Sequence, residues 1–306
     1  MSAPRPVDGT PREGQTFAGE GGFARWASFV KLPHTVFALP FALVGVVFAT
    51  RVAPISVATV GWVVLAFTCA RWVAMAVNRI VDREYDAKNP RTAGREIPRG
   101  VIGVAEAWGT VAVAAALFVW SSWQLNPLCL ALSPIALGWV CFYSFTKRFT
   151  RLAHLVLGLG LAIAPVGGYL AVTGAWSEPW WLLIALTVAV MSWSGGFDIL
   201  YALPDIDFDR SQGLHSIPAA IGVSGAIGVS RVLHLVTVAA LAFAVWTVGA
   251  GALAWVGVLV AAAILAYEHS LVSSDDLSRL DAAFFTLNGV ISLTFFACIL
   301  ADRVFG

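Results

Sequence analysis

Two short stretches of this chain concentrate its acids. "NRIVDREYD" runs from Asn78 to Asp86, and "DILYALPDIDFD" runs from Asp198 to Asp209. Of 18 Asp and Glu residues, eight lie in or just beside these windows: Asp82, Glu84, Asp86, Glu96, Asp198, Asp205, Asp207 and Asp209. Asn78, Asp82 and Asp86 recur at every fourth position. One continuous helix would line them up on a stripe, neighbours about 6 Å apart along its axis. Asp198, Asp205 and Asp209, spaced seven and four, would share a second face, with Tyr201 between them. Such stripes repel themselves by a few tenths of a kcal/mol per pair even on an exposed helix. Something positive must offset that. Local Arg residues are one source and divalent cations are the other. Mg²⁺ prefers oxygen ligands and commonly binds through one or two carboxylates plus substrate phosphates. Two facing carboxylate stripes suit Mg²⁺ bridging a diphosphate. The competing reading is a solvated helix end, with Arg79 and Arg83 pairing the acids.

Basic residues suited to an anion lie nearby. The loop "AKNPRTAGREIPRG" supplies Lys88, Arg91 and Arg95, and guanidinium forks match phosphate oxygens. In "FYSFTKR", Tyr143 and Lys147 stand one helical turn apart, so a ring and an ammonium face the same way. Arg71 differs, because it lies inside an apolar run two turns before Asn78. At that depth its natural partner is an anion, from the protein or from a carboxylated substrate. His34, beside Lys31 and Pro33, reads equally well as functional or structural. His154 and His234 read as structural, and His215 is open.

What must position these groups is a set of membrane helices. Apolar residues make up 59% of the 306 and charged ones 12%, with mean hydropathy +0.81. Soluble domains carry about 25% charged residues, so a soluble globular protein is excluded. Segments of spanning length fall at 34–50, 57–77, 103–123, 127–145, 152–173, 180–200, 225–247, 249–268 and 281–301. Lys and Arg accumulate at the N-terminus and in the loops after the even-numbered spans; the other side keeps only Arg51 and Arg303. By the positive-inside rule the N-terminus and the acidic loops face the cytoplasm. Residues 1–22, without an apolar stretch, read as a disordered cytoplasmic tail and not a signal peptide. Cys69, Cys129, Cys141 and Cys298 sit singly in apolar runs and read as packing residues. The two acidic windows share an offset, 82 to 205 and 86 to 209 both being 123 residues. They also follow spans four helices apart, which points to an old duplication.

With these residues assembled, the chain resembles the UbiA superfamily of intramembrane aromatic prenyltransferases. Its first signature, NxxxDxxxD, is matched by Asn78, Asp82 and Asp86. Its second, DxxYAxxDxxxD, is matched by Asp198, Tyr201, Asp205 and Asp209. "KLPHTVFALPFAL" and "GLHSIPAA" look most like the 4-hydroxybenzoate polyprenyltransferase branch, which includes the futalosine-route menaquinone enzymes. "REIP" departs from the common "RPLP", adding Glu96.

The resemblance implies an all-α bundle of about nine helices around a lateral cavity, spanning 23–306 and seated in the cytoplasmic membrane. It implies Mg²⁺ held by Asn78, Asp82, Asp86, Asp205 and Asp209, and a diphosphate met by Lys88, Arg91, Arg95 and Lys147. Arg71, Asn78 and Asp198 would meet the aromatic acid, and Asp198, Lys147, Tyr143 and Tyr201 would form the catalytic set. The implied reaction joins the group carried by a polyprenyl diphosphate to a ring carbon of a hydroxylated aromatic acid, in ubiquinone or menaquinone synthesis. Expected partners are those two substrates and the bilayer, with no nucleic acid. The alternatives are another acceptor in the same superfamily or, in a different class, a cation transporter with an acidic ion site. A transporter needs polar residues along its pore, and the third, seventh and eighth spans are almost uniformly apolar.

Overall fold

The computed structural model describes residues 21–273, 277 and 287–306. The expected tail at 1–22 therefore lies almost wholly outside the described residues, as do the first residues of the 281–301 span and the side chain of His34. All regular structure among the described residues is helical.

Nine long helices account for the nine expected spans. They are α2 (Leu32–Ala49), α3 (Val57–Val81), α5 (Val104–Leu125), α6 (Pro127–Phe142), α7 (Ala153–Thr173), α8 (Trp181–Tyr201), α10 (Ile217–Thr247), α11 (Ala252–Leu271) and α12 (Asn288–Phe305). Eight segments are long and apolar enough to cross a membrane; α2 contributes a shorter apolar stretch, Ala38–Ala49. The chain is a multi-pass membrane protein. Three short helices, α1 (Gly22–Phe29), α4 (Arg83–Lys88) and α9 (Ile206–Ser211), complete the set. Helices α2, α7, α8, α10, α11 and α12 touch in sequence and close on one another as a ring, and α3, α5 and α6 pack beside its α2–α7 side.

Small residues set how closely α2 and α7 approach. A Cβ built on Gly45 would stand 1.9 Å from the Pro165 carbonyl oxygen, and one on Gly168 only 2.2 Å from that of Ala42. Outward faces carry exposed apolar side chains such as Ile135, Leu235 and Leu259, as lipid contact requires. Trp120, Trp123, Trp176, Trp180, Trp181, Trp246 and Trp255 collect near one end of the bundle, in the pattern of an interfacial aromatic belt. Arg51 and Arg303 lie at that same end. Arg51 pairs with Asp302 at 3.2 Å, and Arg303 donates to Thr50.

The acids occupy the opposite end, and there the expected continuous stripes are replaced by breaks. Helix α3 stops at Val81, and Asp82 (φ −90°, ψ 4°) becomes both its C-cap and the N-cap of α4, which carries Asp86. Helix α8 stops at Tyr201. A single 3₁₀ turn, Leu203–Asp205, follows, and Asp205 (φ −93°, ψ 3°) caps α9, which carries Asp209. The causes are local. Pro204 has no N–H to continue α8, while Asp82 accepts a 2.8 Å bond from the Asn78 amide, the kind of side-chain contact that competes with helix. Asn89, ahead of Pro90, is extended and ends α4. Each break turns the chain inward, so acids on two separate helices come to face each other.

The α2–α7 contact predicts that Gly45→Leu lowers the thermal midpoint in detergent by roughly 5 °C or more, as overpacking does. Gly167→Ala, whose added Cβ meets nothing within 4 Å, should leave it unchanged.

Candidate active site

Between the broken ends of α3 and α8 lies a cavity of about 270 Å³. It gathers Asn78, Asp82, Asp86, Asp198, Asp205 and Asp209, with Tyr143, Lys147 and Tyr201. Arg71, Arg91 and Arg95 line it too. Of the expected site residues only Lys88 is absent: it is exposed at the end of α4 and does not reach the cavity.

Four of the five motif carboxylates have an Arg or Lys partner from the segments that follow α4 and α6. Arg91 grips Asp205 through Nε at 2.8 Å and through a second nitrogen, while Asn89 donates to the same carboxylate at 3.0 Å. Burial alone would raise the Asp205 pKa, but the bonds from Arg91 and Asn89 outweigh it and hold the group below the usual carboxylate range. Arg95 donates to Asp86 Oδ1 at 2.7 Å. Arg148 donates to Asp82 Oδ1 at 3.1 Å, yet burial, helped by the neighbouring Asp86, still pushes Asp82 up. Lys147 stands 3.9 Å from Asp209, which also accepts from Ser216 at 2.8 Å. The acids thus do pair with bases, but not with the two that the sequence offered. Arg83 takes exposed Glu84, and Arg79 takes Glu96 at 3.8 Å.

Tyr201 has a structural setting of its own. Its hydroxyl accepts from Lys31 Nζ at 3.3 Å, and the Arg91 guanidinium lies 4.9 Å from its ring centre. Asp198 Oδ2 lies within hydrogen-bond distance of His154 Nδ1, at 2.6 Å, so His154, read as a structural residue, joins the site. Arg79, read from sequence only as a pairing partner for the acids, and Arg148 are further residues that the sequence reading did not place in the site. Arg79 is 2% exposed, lines the cavity, and has no hydrogen-bond partner for any of its three side-chain nitrogens. A position one residue after the motif's Asn, on a helix about to end, was the available signal. Of the remaining histidines, His215 is exposed and His234 is satisfied by His269 at 2.9 Å.

The donor set suits a hard cation, being all oxygen, and Asp86 Oδ2 is buried without a hydrogen-bond partner. Among the described residues no group of three acids, His or Cys is drawn together as a cage. An ion here would therefore take part of its shell from a bound ligand.

At Arg71 and Tyr143 this polar cavity meets a second one of about 400 Å³. The second cavity is walled mainly by α3, α6 and α7. It runs from Tyr143 to Trp176, near the tryptophan end, through residues such as Phe67, Phe118 and Ile163. A charged chamber opening onto a long greasy one fits a molecule with an anionic head and an apolar tail.

Residues 38–290 match the family described as the UbiA prenyltransferase family. The chain belongs to it. A 4-hydroxybenzoate octaprenyltransferase of Citrobacter koseri is 29% identical over 233 residues, 75% of this chain and 79% of that protein. Among solved structures, the apo UbiA homolog of Aeropyrum pernix K1 aligns with a TM-score of 0.81 and 35% identity, covering 88% of this chain and 98% of that one. A UbiA homolog of Archaeoglobus fulgidus bound to DMAPP and Mg²⁺ aligns with a TM-score of 0.72 and 21% identity, covering 92% and 100%; at that identity it speaks for the shared fold alone. As a UbiA enzyme of the aromatic prenyltransferase kind, the chain has its two signature motifs where the broken ends of α3 and α8 meet around the cavity.

The buried Arg79–Glu96 pair predicts a stability test. Glu96→Gln leaves a buried guanidinium uncompensated and should cost about 3–5 kcal/mol. Glu96→Gln combined with Arg79→Met should recover most of the loss in thermal unfolding.

Proposed function

We propose that this enzyme transfers the polyprenyl group of a polyprenyl diphosphate to a ring carbon of a hydroxylated aromatic acid. 4-Hydroxybenzoate and 1,4-dihydroxy-6-naphthoate are the candidate acceptors, as precursors of ubiquinone or menaquinone. The observation that carries the reading is the junction of an acid-and-base chamber with an apolar one at Arg71 and Tyr143. The 4-hydroxybenzoate octaprenyltransferase relative and the DMAPP- and Mg²⁺-bound fold neighbour point the same way.

The diphosphate enters among Arg91, Arg95, Lys147 and Arg79, whose forks and ammonium match its oxygens. Asp82, Asp86, Asp205 and Asp209, with Asn78 beside them, would hold Mg²⁺. When bound, that ion neutralises charge on the departing diphosphate. As the allylic C–O bond breaks, its electron pair leaves with the diphosphate and a cationic carbon remains near Tyr143. The apolar chamber keeps water from that carbon. Arg71 pairs with the carboxylate of the acceptor. The ring carbon ortho to the hydroxyl then attacks, and Asp198 takes the proton released as the ring regains aromaticity. Tyr201 orients Lys31 and Arg91 at the rim. Lys88, being remote, has no role in diphosphate binding. The positive-inside pattern supports a seat in the cytoplasmic membrane, with the N-terminus and the acidic end toward the cytoplasm.

Purified protein in detergent, given Mg²⁺, a polyprenyl diphosphate and each acid separately, should prenylate one of them and stop on addition of EDTA. Asp82→Asn should lose about 100-fold or more in rate, the scale of an electrostatic transition-state contact. Arg91→Ala should raise the KM for the diphosphate about tenfold, the equivalent of one charge-assisted bond. Lys88→Ala should match wild type. If wild type makes no product from either acid and shows no Mg²⁺-dependent diphosphate release, the reading is overturned.

A further inference from the structure

His154 has no place in either signature motif, yet it makes the shortest contact of any side chain with Asp198. It is 0% exposed near the start of α7, and its Nδ1 lies 2.6 Å from Asp198 Oδ2 on α8. The other ring nitrogen, Nε2, is buried with no hydrogen-bond partner. These facts select a tautomer. A proton on Nδ1 gives a charge-assisted bond to the carboxylate and strands only a lone pair at Nε2. A proton on Nε2 would bury an N–H with nothing to accept it, the costlier and rarer fault. The Asp198 side chain is 22% exposed and lines the reaction cavity. With Oδ2 occupied by the imidazole, Oδ1 is the oxygen left for a ligand.

We propose that His154 is a positioning residue for Asp198: its Nδ1–H holds Oδ2 so that Oδ1 meets the acceptor ring and receives its proton. This rests on the proposed aromatic prenylation. In the step, the allylic C–O bond first gives its electron pair to diphosphate, and a pair of ring π electrons then forms the new C–C bond to the cationic carbon. The ring C–H bond then breaks, its electron pair restores aromaticity, and the proton goes to Asp198 Oδ1. The proton passes to solvent when the product leaves. His154 keeps its Nδ1–H on Oδ2 and fixes the direction of the carboxylate, much as a buried group orients a general base elsewhere.

The packing around the pair supports this assignment. Gly158, one turn along α7 from His154, lies so close to α8 that an added Cβ would stand 2.4 Å from the Met191 carbonyl oxygen. The two helices are thus held at a spacing that leaves the imidazole little room to swing away.

The test compares His154→Leu, which deletes the donor, with His154→Asn, whose amide can place a donor near the Nδ1 position. His154→Leu should lower kcat about 100-fold, the low end of what general acid–base catalysis contributes, with the KM for polyprenyl diphosphate within about twofold. A primary isotope effect should appear with ring-deuterated acceptor, because proton loss becomes slow. His154→Asn should return the rate to within about tenfold of wild type. Unchanged kcat in His154→Leu, or a loss with no isotope effect and no recovery in His154→Asn, overturns the proposal. A second readout needs no turnover. In ¹⁵N spectra of histidine-labelled protein, the signal that disappears in His154→Asn should be Nδ1-protonated in wild type and altered in Asp198→Ala. An Nε2-protonated His154 overturns the proposal even if the enzyme prenylates. Wild type that makes no product with either acid refutes the aromatic reading separately, and the tautomer still tests the pair.

Discussion

The site depends on one constraint: acids drawn together at the end of an apolar bundle must be neutralised. Unpaired, Asp86, Asp205 and Asp209, all under 9% exposed, would each carry a desolvation cost of several kcal/mol. Four loop bases meet that cost, and in doing so they tie the loops down. Arg91 and Arg95 hold the 89–100 segment over the cavity, while Lys147 and Arg148 hold the turn after α6. The same charged side chains that suit a metal and a diphosphate therefore shape the chamber.

The helix breaks follow from the same constraint. On a straight α3, Asn78, Asp82 and Asp86 would point along one stripe and the charges of the two Asp residues would add. Ending α3 at Val81 and restarting at Arg83 lets Asp86 turn toward Arg95. The second motif repeats this device. Asp82 and Asp205 have nearly identical backbone angles and each caps a six-residue helix bearing the next acid of its motif, Asp86 or Asp209. The 123-residue offset seen in sequence thus corresponds to one local structure used twice.

How much could be read beforehand divides along physical lines. The nine spans were legible because a bilayer demands about 20 apolar residues from each, and composition reports that directly. The motif acids were legible because charge at membrane depth is rare. Their partners were not. Spacing favoured Arg79 and Arg83, but partner choice depends on how a Pro- and Gly-rich loop folds back, so Arg95, nine residues on, took Asp86. Lys88 looked as well placed as Arg91, yet it falls on the outer face of α4, and sequence distance does not encode that. His154 was read as structural because a lone histidine in an apolar helix usually is. Its pairing with Asp198 depends on the register of α7 against α8, which appears only in three dimensions.

The two chambers share only four lining residues: Arg71, Tyr143, Leu157 and Leu161. Beyond this waist, the apolar chamber touches none of the charged groups of the other. Exchanging Val, Leu, Phe or Gly in the apolar wall would therefore alter the room for a tail while leaving the contacts of the ionic chamber in place. Room for the tail and grip on the head are separable properties of one chain, joined only at the waist.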